Sequence, residues 1–402
     1  MPPDLSLLPP DPAAPAAMRP SQAAFPLPEP SPQFALDIPA RRGLDEVRER
    51  IHADNTGKWD LTLPRHRLML RGGRLVLPSG YEDEYPERLT LSPWATAQAC
   101  QRLGIPTAYF RKCPPPLRDA QFNHWAWREQ AQQEYDLPLD DEDMEPVPVA
   151  EPPVPAKPDG WLLRAKGSEV RGILSQRYVR LDNQQLMDCL VPLLESRYEV
   201  KSLALTGESL HLRLIDPSLA RDVLPNDRLM VGLHVTNSEV GRRAVSVDAL
   251  VYRLVCTNGL IRLVRGKSLL RQRHISWEQP RFVDALHRAL CEALTAGAGL
   301  IEQLAWAVRT PVPNVEGTLT ALMQQGSLTQ SLQEGVRRAL LGTPPSQQET
   351  VYGFVNALTF VAQGLCPDDR YDLEVLAGRL LENGLPRPVA SESVRLTPGM
   401  QP

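Results

Sequence analysis

Residues 229–265, LMVGLHVTNSEVGRRAVSVDALVYRLVCTNGLIRLVR, decide the fold, because apolar strand-like runs there are broken by two polar knots, TNSEVG and CTNG. The second knot predicts a hairpin. VYRLVCT and LIRLVR flank Asn258-Gly259, a pair that readily takes the two positive-φ positions of a type I′ turn. In the first knot Asn237 and Ser238 can bond local backbone and Gly241 can supply positive φ, which makes a structural turn. The alternative is that Asn237, Ser238 and Glu239 present polar side chains to a ligand groove. Cys256, Asn258 and Gly259 carry the same two readings.

Working outward, 161–163 and 170–174 read as strands, 183–196 as an amphipathic helix, and 198–205 with 209–215 as a hairpin turning at Thr206-Gly207-Glu208. Sequential strands on short turns favour antiparallel pairing with the helix on one face. The expected fold class is therefore α+β, with an antiparallel core carrying the basic segment over 161–275. A helical C-terminal layer follows over 276–385. Upstream, 41–135 reads as a mainly helical unit. Ser92-Pro93 starts a helix that stops near Gly104, Pro106 opens a second, and a third runs over 117–135. The helix, Gly turn, helix layout also admits a helix-turn-helix reading.

The clearest expected boundary is 136–160. An acidic run and seven prolines between 138 and 158 cannot enter a sheet ladder and predict a solvated linker. Residues 1–40 hold twelve of the 40 prolines and predict a disordered head that could recruit a protein partner, and 386–402 predict a disordered tail.

Two strings carry a resemblance, HVTNSEVG at 234–241 and YRLVCTNG at 252–259. They are joined by LLRAKGSEVRGILSQRYVRLDNQQLM at 162–187 and by VYGFVNALTFVAQG at 351–364 with LEVLAGRLL at 373–381. Together they resemble the phage/plasmid-like family catalogued as domain of unknown function 932, over roughly 90–382. The resemblance implies a protein of a phage, plasmid or integrated element, without an assigned chemistry.

The formal net charge of −4 is unevenly spread. Residues 161–274 hold 18 Lys and Arg against 11 Asp and Glu, and 237–274 alone hold 8 against 2, whereas the flanking segments are acidic. A basic block inside an acidic chain can attract a polyanion that the whole charge would repel. Arg242, Arg243, Arg253, Arg262, Arg265, Lys267, Arg271 and Arg273 form this block, interleaved with Tyr252, His274 and Trp277. That is the mix of phosphate-pairing cations and stacking faces used by single-strand binders. A solvated basic sheet face is the plain alternative.

Catalytic signals are weaker. His234, Glu239 and Cys256 lie near the motif strands, yet no nucleophile elbow, Walker A loop or GxGxxG accompanies them. Cys256 on a strand reads as a small core filler. Six cysteines without CxxC spacing predict reduced thiols, and the sparse histidines predict no metal site. No cofactor and no membrane segment are expected, and a cytoplasmic setting follows. The sequence thus predicts a non-catalytic protein contacting nucleic acid, single strands above all. The alternatives are an enzyme acting on nucleic acid through Glu239, His234 and Cys256, and a non-catalytic assembly or regulatory partner of phage proteins.

Overall fold

The computed structural model describes residues 40–81, 83–135, 160–194, 198–225, 227–253, 258–262, 268–275 and 278–386. The head, the acidic linker and the tail expected from sequence lie outside the described residues. Within them the chain is α+β, with helices packed on two six-stranded sheets.

The first sheet takes strands from both sides of the acidic stretch. β1 (Lys58–Pro64), β2 (Met69–Arg71), β3 (Arg74–Val76) and β4 (Arg88–Leu91) precede it, whereas β5 (Gly160–Lys166) and β6 (Glu169–Ser175) follow it. Their order is β1-β5-β6-β4-β3-β2. β1 and β5 run antiparallel from Lys58↔Lys166 to Pro64↔Gly160, while β4 and β6 are parallel through Thr90↔Glu169 and Leu91↔Val170. This corrects two expectations. Segment 41–135 is mainly helical as expected but is not a unit set apart, because its strands complete the sheet of β5 and β6. Those two strands in turn do not belong to the antiparallel sheet that follows. The cause is local: β2, β3 and β4 have only three or four residues, too few to show alternation. In β1, KWDLTLP, only Leu61 and Leu63 are buried.

The helices of this half follow the sequence signals more closely. They are α1 (Ala40–Asn55), α2 (Pro93–Leu103), α3 (Thr107–Lys112) and α4 (Pro115–Tyr135). α2 begins where Ser92 Oγ accepts from Ala95 N at 3.0 Å, carries Pro93 in its first turn, and ends at Gly104 with φ 70°. Ala95, Ala99 and Leu103 pack it, with Phe122 of α4, onto Leu63, Leu89, Trp161 and Ile173 of the sheet.

The second sheet contains β7 (Glu199–Leu205), β8 (Leu210–Leu224), β9 (Asp227–Asn237), β10 (Val245–Arg253), β11 (Asn258–Arg262) and β12 (Leu270–Gln272). All its pairs are antiparallel, in the order β11-β10-β9-β8-β7, with β12 also on β10. The hairpin at the second knot exists with a different turn. Arg253 pairs Asn258 and Tyr252 pairs Gly259, so Asn258-Gly259 opens β11 instead of forming the turn. The connection is 254–257, which includes Cys256 and lies outside the described residues. Gly259 sits in a tight place: a Cβ there would stand 3.0 Å from Leu250 Cδ1 and 3.2 Å from Arg213 Nη1, so those side chains would have to shift slightly.

Alternation along β8, β9 and β10 separates two chemistries. Leu212, Leu214, Leu233, Val235, Val247 and Ala249 pack against Phe282, Leu286, Ala289 and Ala293 of α6 (Gln279–Ala307). The opposite face offers His211, Arg213, His234, Ser246 and Asp248, all buried. α11 (Pro367–Asn383) covers that face and answers it with Asp368, Tyr371 and Glu374. Around them lie α5 (Asn183–Leu190), α7 (Val315–Gln324), α8 (Gln330–Leu341), α9 (Pro345–Gln348) and α10 (Val351–Ala362). α10 is apolar on nearly every side and forms the centre of the C-terminal helical core.

Candidate nucleic-acid interface

The first knot joins the two sheets. Asn237, Ser238, Glu239 and Val240, at the end of β9, are at most 2% exposed. Asn237 Nδ2 donates to Leu181 O at 3.0 Å and Asn183 Oδ1 at 2.9 Å, and Ser238 Oγ donates to Glu208 O at 2.6 Å while accepting from Arg242 N at 2.8 Å. Glu239 reaches into the first sheet. Its Oε2 accepts from Lys58 Nζ of β1 at 2.8 Å and Arg171 Nη2 of β6 at 2.7 Å, and its Oε1 accepts from Asn183 N at 3.0 Å. Burial opposes this charge, but Lys58 and Arg171 outweigh it and bring the carboxyl down to about 2. Arg164 of β5 fastens the same junction, donating to Asp60 Oδ1 at 2.9 Å, Asp182 Oδ1 at 2.5 Å and Glu239 O at 2.8 Å. Gly241 follows at φ 74°, where a side chain would be strained and would meet Leu174 Cδ2 at 2.8 Å.

Asn237, Ser238 and Glu239 are therefore sealed inside a structural join, and the alternative that they present polar side chains to a ligand groove does not hold. The catalytic alternative also loses its geometry. Glu239 is bound to Lys58 and Arg171, whereas His234 belongs to a separate buried group, 3.3 Å from His211 Nδ1 through its Nε2. Burial drives the His234 imidazole well below its ordinary value, so it is neutral near pH 7. Cys256 lies outside the described residues. Among the described residues, no group of three or more His, Cys, Asp or Glu could hold a metal ion.

Beside the join a cleft of about 1260 Å³ opens between α2 and α11. Its walls come from α2 (Trp94, Gln98, Gln101, Arg102), the end of β6 with Tyr178, the 241–244 loop, residues 268–275 beside β12, and α11 (Tyr371, Asp372, Val375, Arg379). Among the described residues six arginines line it, Arg102, Arg242, Arg243, Arg271, Arg273 and Arg379, against one lining acid, Asp372. This excess is what gives the cleft a cationic character inside an acidic chain.

The arginines are not equivalent. Arg243 is anchored: it bonds Asp368 through Nε, Asp368 O through Nη2 at 2.7 Å and Asp372 Oδ1 through Nη1 at 3.1 Å, and lies 4.8 Å from the Tyr371 ring centroid. Arg242 lies 4.7 Å from the Trp94 centroid, and its Nε stands 3.5 Å from Asp368 and 3.7 Å from Glu208. Arg271, Arg273 and Arg379 are exposed and make no close ion pair among the described residues, although Arg271 acts electrostatically on the buried Asp248 carboxyl. His274 also lines the cleft, and burial lowers its imidazole to about 4, leaving it neutral at pH 7.

Of the eight basic residues singled out from sequence, the cleft thus gathers Arg242, Arg243, Arg271 and Arg273. Arg253 is a correction: it sits away from the cleft, held by Asp227 through Nε at 2.5 Å and Nη2 at 2.8 Å, because β10 carries it to the far end of the sheet. Tyr252 is likewise buried, against Ile215 and Met230, and is no stacking face. Arg262 pairs Ala249 in the ladder, and its side chain, with Arg265, Lys267 and Trp277, lies outside the described residues. Arg102 and Arg379 were missed. Each looks like an ordinary exposed helix arginine in sequence, and only the approach of α2 and α11 to one cleft distinguishes them. Comparison of the chain with models of known families, with curated proteins and with solved structures finds no match.

Proposed function

We propose that the cleft between α2 and α11 binds nucleic acid, a single strand in preference to a duplex, and that this binding is non-catalytic. The observation that carries the reading is the convergence, among the described residues, of six arginines on one cleft, of which only Arg242 and Arg243 are held by the acids Asp368, Asp372 and Glu208, in a chain whose net charge is −4. Arginine is suited to this use because its planar fork stays charged and pairs phosphate oxygens bidentately. The preference for a single strand rests on shape. At about 1260 Å³ the cleft somewhat exceeds the roughly 300–1,000 Å³ of drug-sized sites, which gives room for a short extended segment. A phage, plasmid or integrated-element setting rests on the motif resemblance alone.

The test is a fluorescence anisotropy titration of labelled single-stranded and duplex oligonucleotides across a range of NaCl. The expected result is tighter binding of the single strand, with log affinity falling linearly against log salt. Absence of salt-sensitive binding to any oligonucleotide at low ionic strength would remove the proposal.

A further inference from the structure

Three aromatic side chains of the cleft wall, Trp94, Tyr178 and Tyr371, are each engaged twice. Trp94 donates Nε1 to Val240 O at 3.0 Å and carries the Arg242 guanidinium on its face. Tyr178 donates its hydroxyl to Ser238 O at 2.8 Å and lies nearly parallel to the His274 ring, at 11° with centroids 4.8 Å apart. Tyr371 donates to Asp248 Oδ2 at 2.8 Å and carries Arg243. Sequence-tolerant strand binders stack bases on open aromatic faces. Here the polar edge of each ring is tied to the protein and a face is already covered. A guanidinium laid on an aromatic ring, by contrast, is held in one plane with its N–H edge left for an acceptor. Arg242 fits that description: among the described residues its nearest carboxylates, Asp368 at 3.5 Å and Glu208 at 3.7 Å from Nε, stand at ion-pair distance without a close hydrogen bond to it.

Resting on the nucleic-acid reading of the cleft, we infer that it grips the phosphates of a strand and ignores the bases, with Trp94 as the positioning residue that holds Arg242 toward them. The ligand class is then a flexible phosphodiester chain of any sequence. Neither Trp94 nor Tyr371 serves as a base platform.

The deciding experiment uses the wild-type protein with equal-length strands of oligo(dT), oligo(dA) and an abasic spacer that keeps every phosphate. The expected Kd values agree within about threefold, whereas a stacking site loses at least about fivefold for each stacked base removed. Tight oligo(dT) binding with an abasic strand weaker by tenfold or more overturns the phosphate grip and leaves the nucleic-acid reading standing. Failure of all three strands to bind overturns both. Trp94→Leu supplies the positional arm. It should weaken all three strands alike, by about threefold to tenfold, and add nothing in an Arg242→Gln background, since the two residues act as one unit. An independent further loss in the double variant would contradict the positioning role. If Trp94→Leu does not fold, the wild-type strand comparison still decides.

Discussion

Glu239 shows at the scale of one residue how the protein uses charge. It is a fully buried carboxylate, which is costly unless paired, and it is paired twice across a sheet boundary. Glu239→Gln should destabilise the fold by about 3 kcal/mol near neutral pH, because Lys58 and Arg171 are then left buried without their anion. The pH dependence has a definite sign. The folded carboxyl titrates at about 2, below its usual 4.5, so its stabilisation is present above about pH 4.5 and is lost as pH falls toward 2. Chemical denaturation of both proteins from pH 7 to pH 2 checks this, and the gap between them should close over that window. A constant gap would mean that the Glu239 charge is not what holds the join. TNSEVG was legible in the sequence as a structural knot, but the partners it fastens were not. Lys58 is 181 residues from Glu239 and Arg171 is 68, separations at which a sequence carries no sign of a partner.

At the scale of elements, the strands with apolar alternation and the helices with clear caps were legible, as β8, β9, β10 and α2 illustrate. Asn258-Gly259 shows the limit. Its turn chemistry was sufficient, yet the ladder places the pair inside β11, where Gly259 makes room for Arg213 and Glu374 of two other elements. α11 also changed meaning. As a sequence it is a plain closing helix, but it supplies a wall of the cleft and neutralises a buried polar sheet face. Glu374, fully buried, accepts from Arg213 Nη2 at 2.6 Å and from Arg370 Nε at 2.9 Å. Glu374→Gln should therefore cost about 3–5 kcal/mol by leaving Arg213 uncompensated in the core. Because α11 carries Arg379 and Tyr371, the same change should weaken strand binding under conditions where the protein remains folded. Thermal unfolding and a binding isotherm on one sample measure both. Full stability with normal binding would show that α11 does not depend on this pair.

On the scale of the whole molecule, the sheet that spans the acidic stretch makes 40–135 and 160–175 parts of one structure. A protease site engineered within 140–155 should be cut without separating the halves, since β1–β5 and β4–β6 pairing and the Glu239 junction hold them together. Co-elution of the two pieces on size exclusion is the expected outcome, and their separation would contradict the sheet order. Residues 160–402 produced alone would lack α2 and leave β5 and β6 without their partners, an open edge prone to association. The cleft exists only in the assembled whole, because Arg102 comes from one side of the stretch and the other five arginines from the other. The central claim is that these arginines neutralise strand phosphates. It is tested most directly by the salt dependence of oligo(dT) binding in the wild type and in the triple variant Arg271→Gln, Arg273→Gln, Arg379→Gln. All three side chains are exposed, so the fold should change by less than about 0.5 kcal/mol for each. The slope of log affinity against log salt should flatten by about 0.7 for each phosphate contact removed, roughly two units in all. A variant that folds normally and keeps the wild-type affinity and slope would contradict the account.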